Sequence, residues 1–152
     1  MSDAADAPLF PPEEICAQAQ GNAAAWILTM IAYLKEHGGA VEDGVAYHGR
    51  IFAPVWEELR GSPVEEIAQF VALNTLSVGN TVRSLSSVDG RAEVLIEGWP
   101  DEELMSFFPL DRDDCDRIWD TYRPIMEHLD LSYAWRRQDD VVRITVERQS
   151  SQ

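Results

Sequence analysis

The sequence is poor in cysteine, and its two cysteines, Cys16 and Cys115, do not form a Cys-x-x-Cys pair. A disulfide framework or a cysteine-rich zinc site is therefore not expected, and reduced thiols fit a cytoplasmic protein. Long apolar runs are also missing: the longest, residues 23–34, has 12 residues, whereas a membrane-spanning helix needs about 20. The N-terminus carries aspartate where a secretory signal would carry basic residues, so we expect no secretion.

Basic residues are scarce, because the 152-residue chain has 12 of them against 27 acidic residues, a net charge of −15. Nucleic acids and anionic membranes are themselves negative, so we expect neither as a partner. A homodimer or a basic protein partner stays open. A hydrophobic fraction of 45% with five tryptophans supplies the core of one domain. We place that domain at residues 11–148 and expect residues 1–10 and 149–152 to be disordered.

The motifs of several well-known enzyme sites are absent as well. The sequence has no GxGxxG, no P-loop, no GxSxG and no HExxH. It also shows no internal repeat and no low-complexity segment. An enzyme of this sequence would therefore need a site that these motifs do not describe.

The first half of the chain has the periodicity of helices. Residues 11–39 begin with proline and glutamate and end at a pair of glycines, which suits either one helix or, because Gly21 weakens the middle, a separate short helix for the first turns. Residues 41–61 predict a second helix, with His48 on its apolar stripe and a kink near Arg50 and Ile51 that Pro54 causes. The apolar stripe of the first helix is Ile15, Ala19, Ala23, Trp26, Ile27, Met30 and Leu34, and that of the second adds Val41, Val45, Phe52, Val55 and Leu59 to His48.

A capping box is predicted at residues 62–65, where serine and proline precede valine and glutamate. The helix that it begins is expected to run through Leu85, with the polar Asn74 on its apolar stripe. This helix is unusually polar through its middle, and Gly79 allows close approach of a neighbour or of a bound molecule. Its further polar residues are Thr75, Ser77, Asn80 and Thr81.

The second half changes period. Residues 91–99 alternate apolar and charged side chains, which predicts a strand with one buried face. Residues 112–129 return to helical spacing, and residues 132–137 and 141–148 predict two strands joined by a short polar turn. The fold class is therefore α+β: a helical layer of three to four helices, then a strand–helix–strand–strand unit with a small three-stranded sheet.

The most acidic stretch, residues 111–124, places Cys115 among four aspartates. As a calcium loop it has aspartate where glycine is required and tyrosine where the final glutamate is required. As a zinc site it lacks a nearby histidine or second cysteine. We therefore expect no metal here, but a helix start in which Asp111 is the N-cap and Asp114 meets free backbone amides.

Two residues are candidates for catalysis, His48 and Cys115. A helix N-terminus lowers a thiol pKa, but the flanking carboxylates oppose the thiolate, and Cys115 lies on an apolar stripe, which favours a structural role. His48 is either a core histidine whose ring bonds to backbone, or a general base or ligand contact at a cavity. His37 and His128 lie near helix C-termini, where they suit the helix dipole.

Amphipathic side chains on otherwise apolar stripes are the candidates for a ligand site. Besides His48, these are Asn74, Tyr122 and Trp135, since a buried amide needs partners and aromatic rings can line a cavity with polar tips. Tyr33 and Tyr133 share that character. The chain's basic residues concentrate near its end, where we expect them to offset the acidity across adjacent strands; they are Arg136, Arg137, Arg143 and Arg148.

The order of elements over residues 12–148 resembles the fold shared by haem-nitric-oxide-binding domains, vinyl-reductase-type small-ligand domains and TRAPP-type trafficking subunits. The helix rich in Cys, Trp and Tyr adds to this resemblance. The haem-contacting Tyr-x-Ser-x-Arg motif of the first branch is absent at Tyr122, and the C-terminal cysteine cluster of the second is missing. The resemblance implies an α+β domain, in some members dimeric, whose helices and sheet enclose an apolar ligand; no functional residue carries over.

Three hypotheses for the function follow. The first is a cytoplasmic binding or accessory domain that holds a small, largely apolar ligand between the helices and the sheet, lined by His48, Asn74, Tyr122 and Trp135. The second is a small hydrolase or isomerase with His48 as general base, assisted by Cys115 or a tyrosine. The third is an acidic subunit of a larger complex, which docks through an apolar patch or a free sheet edge.

Overall fold

The computed structural model describes residues 9–149. The helices are α1 (Pro12–Glu36), α2 (Val41–Phe52), α3 (Val64–Leu76), α4 (Glu102–Met105), α5 (Arg112–Asp116) and α6 (Tyr122–His128). The strands are β1 (Thr81–Val88), β2 (Arg91–Glu97), β3 (Leu131–Gln138) and β4 (Val141–Arg148). Two 3₁₀ segments, Ala53–Leu59 and Arg117–Thr121, continue α2 and join α5 to α6. The disorder predicted for residues 1–8 and 150–152 lies outside the described residues.

The α+β class is confirmed, with helices first and a sheet after them. The sheet has four antiparallel strands in the order β1-β2-β4-β3, one more than predicted. Burial alternates along β2 and β4, and the buried face packs against α3 and α6. The side chains that form this face are Ala92, Val94, Ile96, Val142, Ile144 and Val146.

The additional strand is β1, which the sequence pattern assigns to the third helix. That helix ends at Leu76, and Gly79 then takes a φ of +86°, a left-handed conformation that suits glycine. A β-bulge between Val82 and Ser84 places Val82 and Leu85 on the same inner face of the strand. In a regular strand, inward-facing residues are two positions apart. The bulge places Val82 and Leu85 three positions apart, a spacing that also occurs on one face of a helix, so the sequence pattern predicts a helix here.

Prolines set helix boundaries that periodicity does not show. The helix predicted over residues 41–61 is α-helical only to Phe52, and Pro54 lies in the 3₁₀ segment that follows instead of a kinked helix. The capping box is wrong, because Pro63 has an extended ψ of 141°, so that it is itself the N-cap and no side chain caps α3. Pro124 has no N–H for an α-helical bond, and the helix predicted over residues 112–129 is interrupted by a 3₁₀ segment.

The buried face of α1 differs from its predicted stripe. The buried residues are Ala24, Leu28, Ile31 and Ala32, while Ile15 and Trp26 are exposed. Gly21 does not interrupt the helix. The first two turns of α1 contribute no buried residue, so their apolar side chains have no layer to pack against. Hydrophobic periodicity therefore predicts the helix, but the elements that α1 contacts decide which of its faces is buried.

The basic residues near the C-terminal end have two different roles. Arg143 of β4 pairs with Glu93 of the neighbouring β2, as expected for charge compensation across strands. Arg137 of β3 is different, because its guanidinium turns inward to the nearly buried carboxylate of Asp116. None of the helices in the described part of the chain is long and apolar enough to span a bilayer.

Candidate ligand-binding cavity

A cavity of about 440 Å³ opens between α1, α2, the C-terminal end of α3 and the segment that joins α5 to α6. No residue of the four strands lines it, so it lies within the helical layer and not between helices and sheet. Its lining consists of Trp26, Ile27, Met30, His48, Asn74, Thr75, Ser77, Val78, Asn80, Trp99, Ile118, Trp119, Thr121 and Tyr122.

Aromatic rings form much of the cavity wall, and hydrogen bonds hold them in place. Trp99 and Trp119 meet edge to face with their ring centroids 6.2 Å apart. The Trp99 indole donates to the Cys115 carbonyl at 3.0 Å, and the Trp119 carbonyl accepts the Tyr133 hydroxyl at 2.6 Å. These hydrogen bonds link the Trp99 ring and the Trp119 backbone to other segments of the chain.

A buried ion pair makes hydrogen bonds to both tryptophans of this wall. Arg137 donates to Asp116 Oδ1 at 2.7 Å and to the Trp99 carbonyl at 2.6 Å. The Trp119 indole donates to the same Asp116 oxygen at 3.3 Å. The side chains of Arg137 and Asp116 are only 15% and 5% exposed. One guanidinium therefore connects β3, the start of the α5–α6 unit and the loop that carries Trp99.

Two polar groups at the cavity have no partner within the described chain. Asn80 is 6% exposed, and its Nδ2 is buried without a hydrogen bond. The Thr121 hydroxyl, on the segment between α5 and α6, is likewise buried and unpaired. A buried donor without an acceptor costs about 1–3 kcal/mol. Such groups are uncommon in folded proteins.

His48 lines the cavity. Of the two roles expected from the sequence, that of a buried core histidine is wrong. The residue is exposed, and its ring packs against Phe52 with centroids 4.6 Å apart. The hydrogen bonds between described side chains and backbone do not include its ring. Partial burial of the ring lowers its pKa from the ordinary value, so the imidazole is neutral at neutral pH.

The structure brings together His48, Asn74 and Tyr122, three of the four predicted ligand residues. Asn74 is exposed, and its amide already donates to the Phe70 carbonyl at 2.8 Å. Tyr122 is buried in the wall, and burial raises the pKa of its hydroxyl well above the ordinary value. Trp135 is elsewhere: it belongs to β3 and does not line the cavity, and its indole donates to Asp120 at 2.9 Å.

Cys115 does not reach the cavity. Its side chain is fully buried, and burial together with Asp114 and Asp116 raises the thiol pKa to about 12. The predicted helix start is confirmed: Asp111 accepts the Asp114 amide at 2.8 Å, and Asp114 accepts the Asp111 amide at 3.0 Å. A catalytic pair of His48 and Cys115 therefore has no common space in which to act.

The difference between the two cysteines predicts their reactivity. Cys16 is exposed on α1 and Cys115 is buried, and only a thiolate reacts rapidly with thiol reagents. We expect a maleimide to modify one thiol per native chain and both thiols in guanidinium, measured by intact mass. A Cys16→Ser variant should then resist native labelling. Equal rates for the two cysteines in the native protein would contradict the buried placement of Cys115.

Sequence reasoning missed much of the cavity. Asn80 was noticed only as one of several polar residues after Asn74, and nothing in the sequence distinguishes Thr121. Trp99 and Trp119 reach the cavity from two loops that come together only in the fold. Within residues 9–149, no group of three or more His, Cys, Asp and Glu side chains could hold a metal ion.

Comparison with known proteins gives no relative from which a role could be transferred. No protein-family model matches the chain, and no curated protein matches it either. The interpretation of the cavity therefore rests on its own lining and chemistry.

Proposed function

We propose that this protein binds a small, largely apolar molecule in the cavity of its helical layer. The observation that carries the proposal is an aromatic-walled space of about 440 Å³ whose lining also includes the polar residues His48, Asn74 and Ser77. Ligand sites typically have volumes of about 300–1,000 Å³, with mainly apolar walls and a few polar groups that orient the ligand. The reduced thiols favour a cytoplasmic setting for this role.

The lining also favours binding over catalysis. Among residues 9–149, no Asp, Glu, Lys or Arg side chain lines it, and His48 is the one candidate there for a general base at neutral pH. A general base needs a positioned partner and a substrate proton within hydrogen-bond reach. Cys115, the nucleophile proposed to assist it, is buried in the core. The hydrolase or isomerase hypothesis therefore has one candidate base and no activated nucleophile among the lining residues.

A second candidate function is docking to another protein through the helical face. Several large apolar side chains are exposed on α1, on α2 with its 3₁₀ extension, and on α3; they are Trp26, Tyr33, Tyr47, Ile51, Phe52, Val55, Phe70, Leu73 and Leu76. Exposed apolar side chains mark an interaction site where they form a contiguous surface. A net charge of −15 makes two copies repel each other, so a basic partner suits this face better than a homodimer.

Native mass spectrometry of protein purified without denaturation tests the binding role. We expect a mass above that of the bare chain, which denaturation removes and which identifies the retained molecule. Ser77→Trp places a bulky ring at the cavity lining and should lower the occupied fraction several-fold. Ser86→Trp makes the same change on exposed β1, where a strand tolerates tryptophan, and should leave occupancy unchanged.

The possible masses separate the two functions. A bare monomer that also takes up no added apolar compound would contradict the binding role. Equal occupancy in the Ser77→Trp and Ser86→Trp proteins would place the ligand somewhere other than this cavity. A bare chain that copurifies in fixed ratio with one basic protein, and loses it when Val55 or Leu73 is changed to Asp, would favour docking instead.

A further inference from the structure

A stripe of exposed residues runs along the outer face of α1. Its members follow one another in alternating steps of four and three residues; they are Ile15, Ala19, Asn22, Trp26, Thr29 and Tyr33. At 3.6 residues per turn they fall within about 40° of one line along the helix, opposite the buried Ala24, Leu28 and Ile31. Trp26 is 75% exposed and Tyr33 is 60% exposed. The steps are those of a coiled-coil seam, and no element among residues 9–149 covers it.

The stripe also has the shape that accepts a side chain from another helix. A shallow groove of about 180 Å³ is lined by Asn22, Ala25, Trp26 and Thr29. Residues spaced in this way form the hole that a facing side chain fills in knobs-into-holes packing. The Thr29 hydroxyl donates to the Ala25 carbonyl at 2.8 Å, and Asn22 Oδ1 accepts from Gln18 at 2.9 Å. Covering the groove therefore leaves neither of these two polar groups without a partner.

Charge favours a second copy of this chain over a basic partner at this stripe. Residues 15–34 contain no Asp, Glu, Lys or Arg, and they form the longest such run in a chain with a net charge of −15. By contrast, α2 begins with Glu42 and Asp43, and α3 begins with Glu65 and Glu66. Two copies therefore meet with the least repulsion along α1, where a basic partner would find no counter-charge.

We infer that two copies of this chain pair through α1 as an antiparallel dimer with two-fold symmetry. A two-fold axis at the level of Ala24 brings the stripe of one copy onto the stripe of the other, and each aromatic ring then faces a smaller side chain. The opposed pairs are Ile15 with Tyr33, Ala19 with Thr29, and Asn22 with Trp26. The antiparallel direction also places the N-terminus of each helix beside the C-terminus of the other, which suits their dipoles.

Two α1 helices supply enough surface for a weak but specific dimer. A specific interface buries at least about 1,000 Å² in total, and a buried aromatic side chain contributes about 150–250 Å². At their observed exposure, the four rings of two copies supply about half of this area, and the remaining stripe residues supply the rest. We therefore expect a dissociation constant in the micromolar range. Trp26 also lines the cavity, so the pairing is best tested at stripe positions that do not.

Sedimentation velocity of the full chain across a range of micromolar concentrations tests the pairing. We expect a reversible equilibrium between monomer and dimer. Ala19→Glu places an unpaired carboxylate in the seam and should raise the dissociation constant by at least about tenfold. Ala17→Glu is the matched control, since it adds the same charge at an exposed position on the opposite side of α1, and it should change the constant less than about twofold. Circular dichroism establishes that both variants are folded.

Spin labels on the native Cys16 determine the direction of the pair. Cys16 is exposed and Cys115 is buried, so one label attaches to each native chain. In the antiparallel pair the two labels lie about 24 Å apart along the helices, which the spin–spin coupling measures. A separation close to the roughly 10 Å between neighbouring helix axes would indicate a parallel pair and overturn the inference. A monomer at every concentration, a dimer that Ala19→Glu leaves intact, or equal weakening by both glutamate variants would overturn it as well.

Discussion

Replacing Arg137 by Met is expected to destabilise the protein by about 3–5 kcal/mol, the usual cost of removing one partner from a buried ion pair. The change leaves the Asp116 carboxylate, which is 5% exposed, without its counter-charge. It also removes the donor to the Trp99 carbonyl, so the aromatic wall of the cavity should loosen. Urea unfolding measures the loss of stability, and near-ultraviolet circular dichroism reports the environment of the tryptophans.

A double-mutant cycle separates the charge effect from the packing effect. In Arg137→Met with Asp116→Leu, no unpaired charge remains, and much of the lost stability should return. The control is Arg112→Met, which breaks exposed pairs with Glu102 and Asp140 and should cost less than about 1 kcal/mol. If the Arg137 and Arg112 variants lost the same stability, the pair with Asp116 would not be an interior contact.

Gly49→Ala is the second change for which we expect a large effect. A Cβ at this position of α2 would lie 2.2 Å from the Thr121 carbonyl oxygen and 2.5 Å from Pro124 Cγ. The Thr121 oxygen belongs to the backbone of the 3₁₀ segment and Pro124 belongs to α6, so the clash requires a shift of that segment or of the start of α6. We expect a loss of about 3 kcal/mol, the upper part of the range for overpacking, measured as a fall of roughly 6–12 °C in melting temperature.

The matched control for this change is Gly21→Ala. A Cβ at Gly21 would meet no atom within 4 Å, and alanine is the better helix former by about 0.5–1 kcal/mol. Gly21→Ala should therefore leave stability unchanged or raise it slightly. Because Thr121 and Tyr122 line the cavity beside Gly49's contact, a folded Gly49→Ala protein should also show a smaller ligand-bound fraction in native mass spectrometry. Equal melting temperatures for the two alanine variants would contradict the close approach of α2.

The candidate site was only partly accessible to sequence reasoning. His48, Asn74 and Tyr122 are polar interruptions of apolar stripes, and they do line one cavity. The same criterion wrongly included Trp135, because a half-buried aromatic residue has the same pattern whether its polar tip meets a ligand or, as here, Asp120. Asn80 also lines this cavity, but the sequence does not distinguish it from its polar neighbours, since it does not show which side chains find partners in the fold.

Local chemistry determined much of the secondary structure. The helical layer, β2 and the β3–β4 hairpin follow from short-range periodicity, and the helix start at Asp111 follows from the preference of aspartate for free backbone amides. These features depend on neighbours within about four residues along the chain, such as i, i+4 pairs in helices and alternation in strands. The sequence by itself therefore determined the α+β class and the order of most elements.

Only the tertiary structure decided where the chain could bind a molecule. The β-bulge at Val82 is stabilised by pairing with β2, and the face that α1 buries is selected by the elements beneath it. Around the cavity, Gly49 allows α2 to lie close to Thr121, and Arg137 donates a hydrogen bond to the Trp99 carbonyl. Each of these contacts joins residues far apart in the sequence, whose separation carries no periodic signal, so packing alone brings them together.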